Sequence, residues 1–185
     1  MKTLKDIIST LDVQQVQGDQ NVSIQDITAD SRAVKPNSLF IALDGATVDG
    51  HNYIDNAVAA GAVAVIVSKP VTVPDDVCVI TVADTRQAMM ACVPYFFDYP
   101  ANRMRMVGVT GTNGKTTTTH MIRHILKAQG HKVGVIGTVH IMIGDTSYPI
   151  HNTTPDVVDL QHILHQMVQE NVEYCVMEVS SHALA

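Results

Sequence analysis

Residues 106–119 combine apolar, glycine and hydroxyl-bearing side chains in an order that suits phosphate binding. Because Gly111 and Gly114 lack a Cβ atom, the backbone can adopt positive φ angles there, and successive N–H groups can then point toward an anion. Lys115 can reach the β- and γ-phosphates of a nucleotide, and the hydroxyl of Thr116 can bind Mg²⁺, as in a P-loop. The stretch therefore predicts a Mg-ATP site, and its ATP-binding candidates are Gly111, Thr112, Asn113, Gly114, Lys115, Thr116 and Thr117.

The elements on either side of this loop fit a strand followed by a helix. Apolar residues precede the loop, and a helical stripe of Met121, Ile122, Ile125 and Leu126 follows it and ends at Gly130. An ordinary strand-to-helix turn can have a similar sequence, but the flanking elements are those that a phosphate site requires.

Composition limits the classes of function. The chain has 185 residues, 46% hydrophobic and 16% charged, which is typical of a folded protein with one large or two small domains. A net charge of −6 without a basic run argues against a nucleic-acid partner. No apolar run is long enough to span a bilayer, and Asp6 interrupts any signal-peptide pattern, so we expect no membrane partner and a cytoplasmic location. The scattered Cys78, Cys92 and Cys175 predict buried thiols rather than disulfides.

The first hundred residues alternate short strand and helix patterns. Helices are predicted near residues 4–11, 53–60 and 85–97, and strands near 22–24, 39–43, 62–67 and 78–82. This alternation predicts an α/β domain. The polar stretch 98–102, which carries Pro100, suggests domains at residues 1–100 and 101–185. Between the first strands, Asp30 and Ser31 favour a turn, and Arg32 offers a guanidinium fork for a carboxylate or phosphate.

The second half predicts a parallel-sheet nucleotide-binding domain. A strand is expected over 132–138, then a hairpin with Gly144 and Asp145 at its turn. Thr154 is a candidate N-cap of a helix that begins at Pro155. Residues 174–179 read as a strand apolar on both faces, with Glu178 at its carboxyl end, where a Mg²⁺ ligand beside a P-loop belongs. Because the sequence ends soon afterwards, we expect this strand to have an open edge.

Several motifs together resemble the Mur ligases of the MurE type, over nearly the whole chain. The loop T-G-T-N-G-K-T-T is similar to the P-loop of these enzymes and of folylpolyglutamate synthases, both ATP-dependent amide-forming enzymes. The segments Asp30-Ser31-Arg32, Leu39-Phe40-Ile41-Ala42 and Asp49-Gly50 resemble the N-terminal domain of the MurE type, and Met177-Glu178-Val179-Ser180-Ser181-His182 resembles a motif of the central domain. The fold implied is an N-terminal α/β domain that binds the UDP substrate, followed by an incomplete P-loop ATPase domain.

The resemblance also implies roles for individual residues. Lys115 and Glu178 would be catalytic, and Thr116 and Glu178 would bind the metal. Residues that would contact the UDP-N-acetylmuramoyl substrate are Ser31, Ala46, Thr47, Val48, Asn152, Thr153, Thr154 and Ser180.

The activity implied is ATP-dependent addition of L-lysine or meso-diaminopimelate to UDP-N-acetylmuramoyl-L-alanyl-D-glutamate, through an acyl phosphate, in peptidoglycan synthesis. ATP, the UDP-linked dipeptide and the diamino acid would be the small-molecule partners, with Mg²⁺ as cofactor. The family's carboxylated lysine and its amino-acid site have no counterpart in these residues, so we expect the chain alone to be inactive. The alternatives are another Mur ligase, a folylpolyglutamate synthase-like ligase, or a non-catalytic module that binds nucleotides or UDP-sugars.

Histidines suggest a further possibility, because eight of the nine lie between residues 120 and 182. Two pairs have helical spacing, but no HExxH frame and no third ligand accompany them. A zinc site is therefore not favoured.

Overall fold

The computed structural model describes residues 2–45, 48–138, 140–149 and 156–180. The chain divides into two compact units, Met1–Asp98 and Tyr99–Ala185. Each unit contains a five-stranded sheet with parallel neighbours and helices between strands. The α/β class predicted from the alternation of patterns is thus confirmed.

The first unit contains a five-stranded sheet and a two-stranded one. Its sheet order is β2-β7-β6-β5-β4, in which β7, β6, β5 and β4 are mutually parallel and β2 is antiparallel to β7. Strands β1 and β3 form a separate antiparallel pair. The elements in order are β1 (Lys2–Thr3), α1 (Leu4–Ile8), β2 (Val13–Gln17), β3 (Ser23–Ile24), β4 (Asp26–Thr28), β5 (Ser38–Ile41), a 3₁₀ turn (Gly50–Tyr53), α2 (Ile54–Ala59), β6 (Ala62–Val67), β7 (Cys78–Val82) and α3 (Thr85–Phe96).

The central strands of this unit are buried because nearly all of their side chains are apolar or small. Strand β5 is buried at every position, and β6 at all but one. Helix α2 packs Ile54 and Ala57 against them. The core cluster consists of Phe40, Ala42, Ile54, Ala57, Ala62, Val65, Val67, Val77 and Val79. Continuous apolar strands of this kind require helices or loops over both faces of the sheet.

The second unit has the sheet order β11-β10-β9-β12-β8. Strands β9, β12 and β8 are parallel, and β10 and β11 extend the sheet antiparallel beyond β9. The elements are a 3₁₀ turn (Pro100–Arg103), β8 (Arg105–Val109), α4 (Lys115–Ala128), β9 (Val133–Ile136), β10 (His140–Ile143), β11 (Thr146–Pro149), α5 (Val157–Gln169) and β12 (Tyr174–Glu178). The predicted hairpin is confirmed, since Ile143 pairs with Thr146 across Gly144 and Asp145.

Two expectations about this unit are wrong. Strand β12 is not at an edge: it lies between β8 and β9, and the edge strands among the described residues are β8 and β11. Helix α5 begins at Val157, and its N-cap is Asp156, whose side chain accepts a hydrogen bond from the N–H of Asp159. The predicted cap, Thr154, lies outside the described residues. Asp is as good an N-cap as Thr, so propensity alone did not distinguish the two positions.

The apolar stripe of α4 does not coincide with the buried face of the helix. Met121 and Ile125 are 63% and 65% exposed, whereas Thr119 and Arg123 are buried. The side chain of Arg123 extends to the hairpin turn, where Nη2 donates to the carbonyl of Gly144 at 2.9 Å and to Asp145 Oδ1 at 3.0 Å. The helix therefore turns a face containing an arginine toward the sheet, because the turn carbonyl and carboxylate satisfy that charge.

Among the described residues, no helix is both long and apolar enough to cross a membrane.

Candidate nucleotide and substrate sites

Strand register brings the glycine-rich loop and Glu178 to one edge of the second sheet. Strands β8 and β12 are parallel neighbours, with Val109 opposite Glu178. The N–H of Val179 donates to the carbonyl of Val109 at 2.9 Å, so the pairing continues to the start of the loop. The carboxyl ends of parallel strands are where α/β proteins bind ligands.

The loop between β8 and α4 has the backbone that a phosphate site needs. Gly111 and Gly114 have φ angles of 145° and 80°, which confirms the positive φ predicted for both. Gly114 is also the N-cap of α4 and makes no side-chain cap. The N–H groups of the first helical turn are therefore not occupied by an N-cap side chain, and they carry the positive end of the helix dipole.

Eight residues from the glycine-rich loop, the first turn of α4 and the strand ends surround a cavity of about 350 Å³. The ammonium of Lys115 donates to the carbonyl of Gly111 at 2.7 Å, which places the charge at the loop. The lining residues are Thr112, Asn113, Gly114, Lys115, Thr116, Thr117, Thr138 and Glu178. Apart from Gly111, every residue assigned to ATP by the sequence lines this one cavity, together with the predicted metal ligand Glu178.

Two residues that the sequence did not single out determine where the carboxylate of Glu178 lies. The hydroxyl of Thr138 donates to Glu178 Oε2 at 3.3 Å. At Gly137 a Cβ atom would lie 3.0 Å from Glu178 Oε1 and 3.3 Å from the carbonyl oxygen of His140. Both residues follow β9, the strand beside β12, so only the pairing of these strands reveals them.

The donor set at this cavity suits Mg²⁺. A hydroxyl from Thr116 and a carboxylate from Glu178 are hard oxygen ligands, and Mg²⁺ commonly uses one or two protein oxygens with phosphate and water oxygens completing its shell. Among the described residues, no three His, Cys, Asp or Glu side chains are grouped to hold a metal ion by themselves.

The first unit also has a cavity, of about 490 Å³, which lies at the carboxyl ends of β4 and β5. Ser31 and Val48, two of the residues predicted to contact the UDP substrate, both line it. Its other lining residues are Ala29, Asp30, Arg32, Phe40, Leu43, Gly50, Tyr53 and Asn56. Sequence reasoning did not identify Asn56, which comes from α2, the helix after the loop.

The guanidinium fork of Arg32 is paired within its own loop. Its Nε donates to Asp30 Oδ1 at 2.9 Å and its Nη2 to Asp30 Oδ2 at 2.7 Å, while the Arg32 N–H also donates to Oδ1. These bonds lower the pKa of Asp30 and raise that of Arg32. The Arg32 side chain is 88% exposed, so the pair fixes the shape of the loop around Ser31 more than it adds stability.

Several predicted substrate contacts lie outside the described residues: Ala46, Thr47, Asn152, Thr153 and Thr154. Ser180 is described and lies two residues beyond the end of β12, on the same edge as Glu178. It is not part of the cavity lining around the glycine-rich loop.

The three cysteines are buried and free, as the sequence predicted. Burial raises the pKa of Cys92 and of Cys175 to about 12, so neither thiol ionises near neutral pH.

Comparison with known proteins adds the family. The profile of the Mur ligase family catalytic domain matches residues 23–95, and that of the Mur ligase middle domain matches residues 109–185. The UDP-N-acetylmuramoyl-L-alanyl-D-glutamate–2,6-diaminopimelate ligase of Alkaliphilus metalliredigens is 46% identical over 182 residues, which cover 98% of this chain and 37% of that protein. The enzyme of the same name from Geobacillus kaustophilus is 51% identical over 164 residues, covering 89% and 33%.

A solved structure of a UDP-N-acetylmuramoyl-L-alanyl-D-glutamate–2,6-diaminopimelate ligase has the same fold. It superposes with a TM-score of 0.78 at 26% identity, over 99% of this chain and 37% of that one. The chain thus spans about a third of the length of the relatives it matches. Since the two domain profiles together match most of its residues and occur in the order of the two units, the chain belongs to the Mur ligase family.

Proposed function

We propose that this chain is part of an ATP-dependent ligase that adds diaminopimelate to UDP-N-acetylmuramoyl-L-alanyl-D-glutamate in peptidoglycan synthesis. The observation that carries the proposal is the cavity in which Lys115, Thr116 and Glu178 meet. The choice of diaminopimelate over L-lysine, and over the reactions of other Mur ligases or folylpolyglutamate synthases, follows from the names of the relatives at 46% and 51% identity. The cytoplasmic location stays a prediction.

In this proposal the residues of the second unit prepare phosphoryl transfer. The glycine-rich loop and the first turn of α4 bind the phosphates of ATP, and Lys115 offsets the negative charge that develops during transfer. Thr116 and Glu178 would hold Mg²⁺, which when bound neutralises the phosphate oxygens. The substrate carboxylate attacks the γ-phosphorus, forming an acyl phosphate and releasing ADP. The amine of the diamino acid then attacks the acyl carbon; phosphate leaves, the amine loses a proton, and an amide remains.

The first unit would hold the other substrate. Ser31 and Val48 line the cavity proposed for the uridine diphosphate end. Ala46 and Thr47, which directly precede Val48 in the sequence, are proposed to contact the same end, as the family resemblance implies. Asn152, Thr153, Thr154 and Ser180 are proposed to contact the N-acetylmuramoyl peptide, as the family resemblance implies.

A chimera tests the proposal directly. The matching third of the Geobacillus kaustophilus ligase is replaced by this chain, and tripeptide formation with diaminopimelate as acceptor is followed by mass spectrometry. Product is expected from this chimera, and the Lys115→Ala chimera should give none. A folded chimera that makes the product equally well with Lys115→Ala would refute the assignment of the cavity. Binding of UDP-N-acetylmuramoyl dipeptide to the 185-residue chain, measured by calorimetry, tests the first unit separately.

A further inference from the structure

A buried histidine lies at the base of the loop that forms one wall of the first unit's cavity. The His51 side chain is 8% exposed. Its Nε2 accepts the backbone N–H of Ser68 at 3.1 Å. The ring proton must therefore be on Nδ1, which lies 2.6 Å from Asp49 Oδ1 and donates to it. His51 thus ties the loop after β5 to the end of β6.

The side chain of Lys69 forms ion pairs with both ends of the same loop. Lys69 Nζ lies 2.7 Å from Asp49 Oδ2 and 3.0 Å from Asp44 Oδ2. Asp44 and Asp49 also form an isolated antiparallel bridge, and the Gly50 N–H donates to the Leu43 carbonyl at 2.8 Å. The residues on both sides of the loop tip are therefore fixed to one another and to the end of β6.

We propose that His51, Asp49 and Lys69 are positioning residues for the uridine diphosphate end of the substrate; this inference rests on the function proposed above. They hold residues 43–45 and 48–51 so that Leu43, Val48 and Gly50 line the cavity together with Ser31 and Arg32. None of the three is among the residues that line the cavity, so they act through the loop and not by touching the ligand.

The test uses Lys69→Met in the 185-residue chain, with uridine diphosphate as the calorimetric probe. Lys69 is 46% exposed, so loss of its two ion pairs should leave the unit folded. We expect the affinity for uridine diphosphate to fall about three- to ten-fold. Without the ion pairs of Lys69, only a fraction of the molecules has the loop in its binding-competent position, and the apparent affinity falls by that fraction. Lys69→Arg can still bridge both carboxylates and should restore affinity to within about two-fold. Lys35→Met is the matched control, because it also removes a lysine–aspartate ion pair, the one with Asp26. Lys35 precedes the amino end of β5, whereas the cavity lies at the carboxyl end of that strand.

Amide NMR spectra without ligand separate positioning from general stability. In Lys69→Met the Val48 and Gly50 signals should shift while those of Ala29 and Ser31 stay in place, and the thermal midpoint should change little. Unchanged Val48 and Gly50 signals, or unchanged affinity in a variant whose parent binds the probe, would overturn the inference. If the parent chain itself fails to bind uridine diphosphate, the proposed function of this cavity is wrong, and the positioning role is wrong with it.

Discussion

The carboxylate of Glu178 offers the sharpest test of the second unit, because its position depends on a neighbour without a side chain. In Gly137→Ala the new Cβ would start 3.0 Å from Glu178 Oε1, and an ordinary contact begins at about 3.4 Å. The carboxylate must then move by about 0.4 Å, since the backbone carbonyl of His140, 3.3 Å from the same Cβ, limits movement of the alanine. Side chains at a metal site must be held to within about 0.5 Å of the productive geometry, so a shift of this size takes up most of that tolerance.

We expect this change to lower the Mg²⁺-dependent part of nucleotide affinity about ten-fold, or ~1.4 kcal/mol. Thr138→Val removes only a long hydrogen bond, of 3.3 Å, to the same carboxylate and should cost about two- to five-fold. The assay is titration of a fluorescent ATP analogue into the 185-residue chain with Mg²⁺ and with EDTA. Affinity in EDTA should not change in either variant, because neither residue is part of the phosphate loop.

A double-mutant cycle identifies the route of the effect. In a Glu178→Gln background, Gly137→Ala should cause no further loss, because the metal-binding charge is already absent. Gly108→Ala is the control: it lies on β8 of the same sheet, and its Cβ would meet only Val179 Cγ2, at 3.5 Å. The reasoning is refuted if Gly137→Ala weakens binding equally in EDTA, or if its effect persists undiminished in the Glu178→Gln background.

Three further outcomes are expected. Lys115→Ala should abolish detectable ATP binding with a thermal midpoint within about 2 °C of the parent, since the hydrogen bond of the Lys115 ammonium goes to a loop carbonyl, that of Gly111; retained binding in the folded variant contradicts the assignment. Hydrogen bonds from Lys69, then His51, lower the pKa of Asp49, so its stabilising contribution is present above the unfolded pKa of about 3.9 and is lost as pH falls below it. The midpoint difference between the parent and Asp49→Asn should therefore shrink from about pH 5 to pH 2, and a constant difference would count against this. The purified chain should form no tripeptide from ATP, UDP-linked dipeptide and diaminopimelate, because it spans about a third of its relatives and the family resemblance implies that the amino-acid site lies in the remainder; product detected by mass spectrometry would disprove it.

Sequence predicted the parts of the second site that depend on local chemistry. The positive φ angles at Gly111 and Gly114 follow from the residues themselves, and Glu178 follows from its place at the end of an apolar strand. Thr138 could not be found in this way. It meets Glu178 only because β9 and β12 pair in a register that places Ile136 opposite Met177, about forty residues along the chain.

Helix α4 illustrates a limit of periodicity. Ile122 and Leu126 can belong to a stripe with Met121 and Ile125 or to one with Thr119 and Arg123, since both sets have helical spacing. Hydrophobicity favours the first set, and the structure has the second. The decision depends on the hairpin turn, because the Gly144 carbonyl and Asp145 pair with a guanidinium that would otherwise be costly to bury. The sequence of the helix itself does not indicate that Arg123 has these partners in the hairpin turn.

The two cavities nevertheless follow one topological rule. In the second unit, the ends of β8, β9 and β12 supply the phosphate loop, Thr138 and Glu178. In the first, the ends of β4, β5 and β6 supply Ser31, Val48 and the residues that tether the loop, Ser68 and Lys69. Parallel pairing places all of these carboxyl ends at one edge of their sheet, whatever their separation in sequence. Residues that position a ligand should therefore be sought just after the neighbouring parallel strand, even where their own sequence context has no motif.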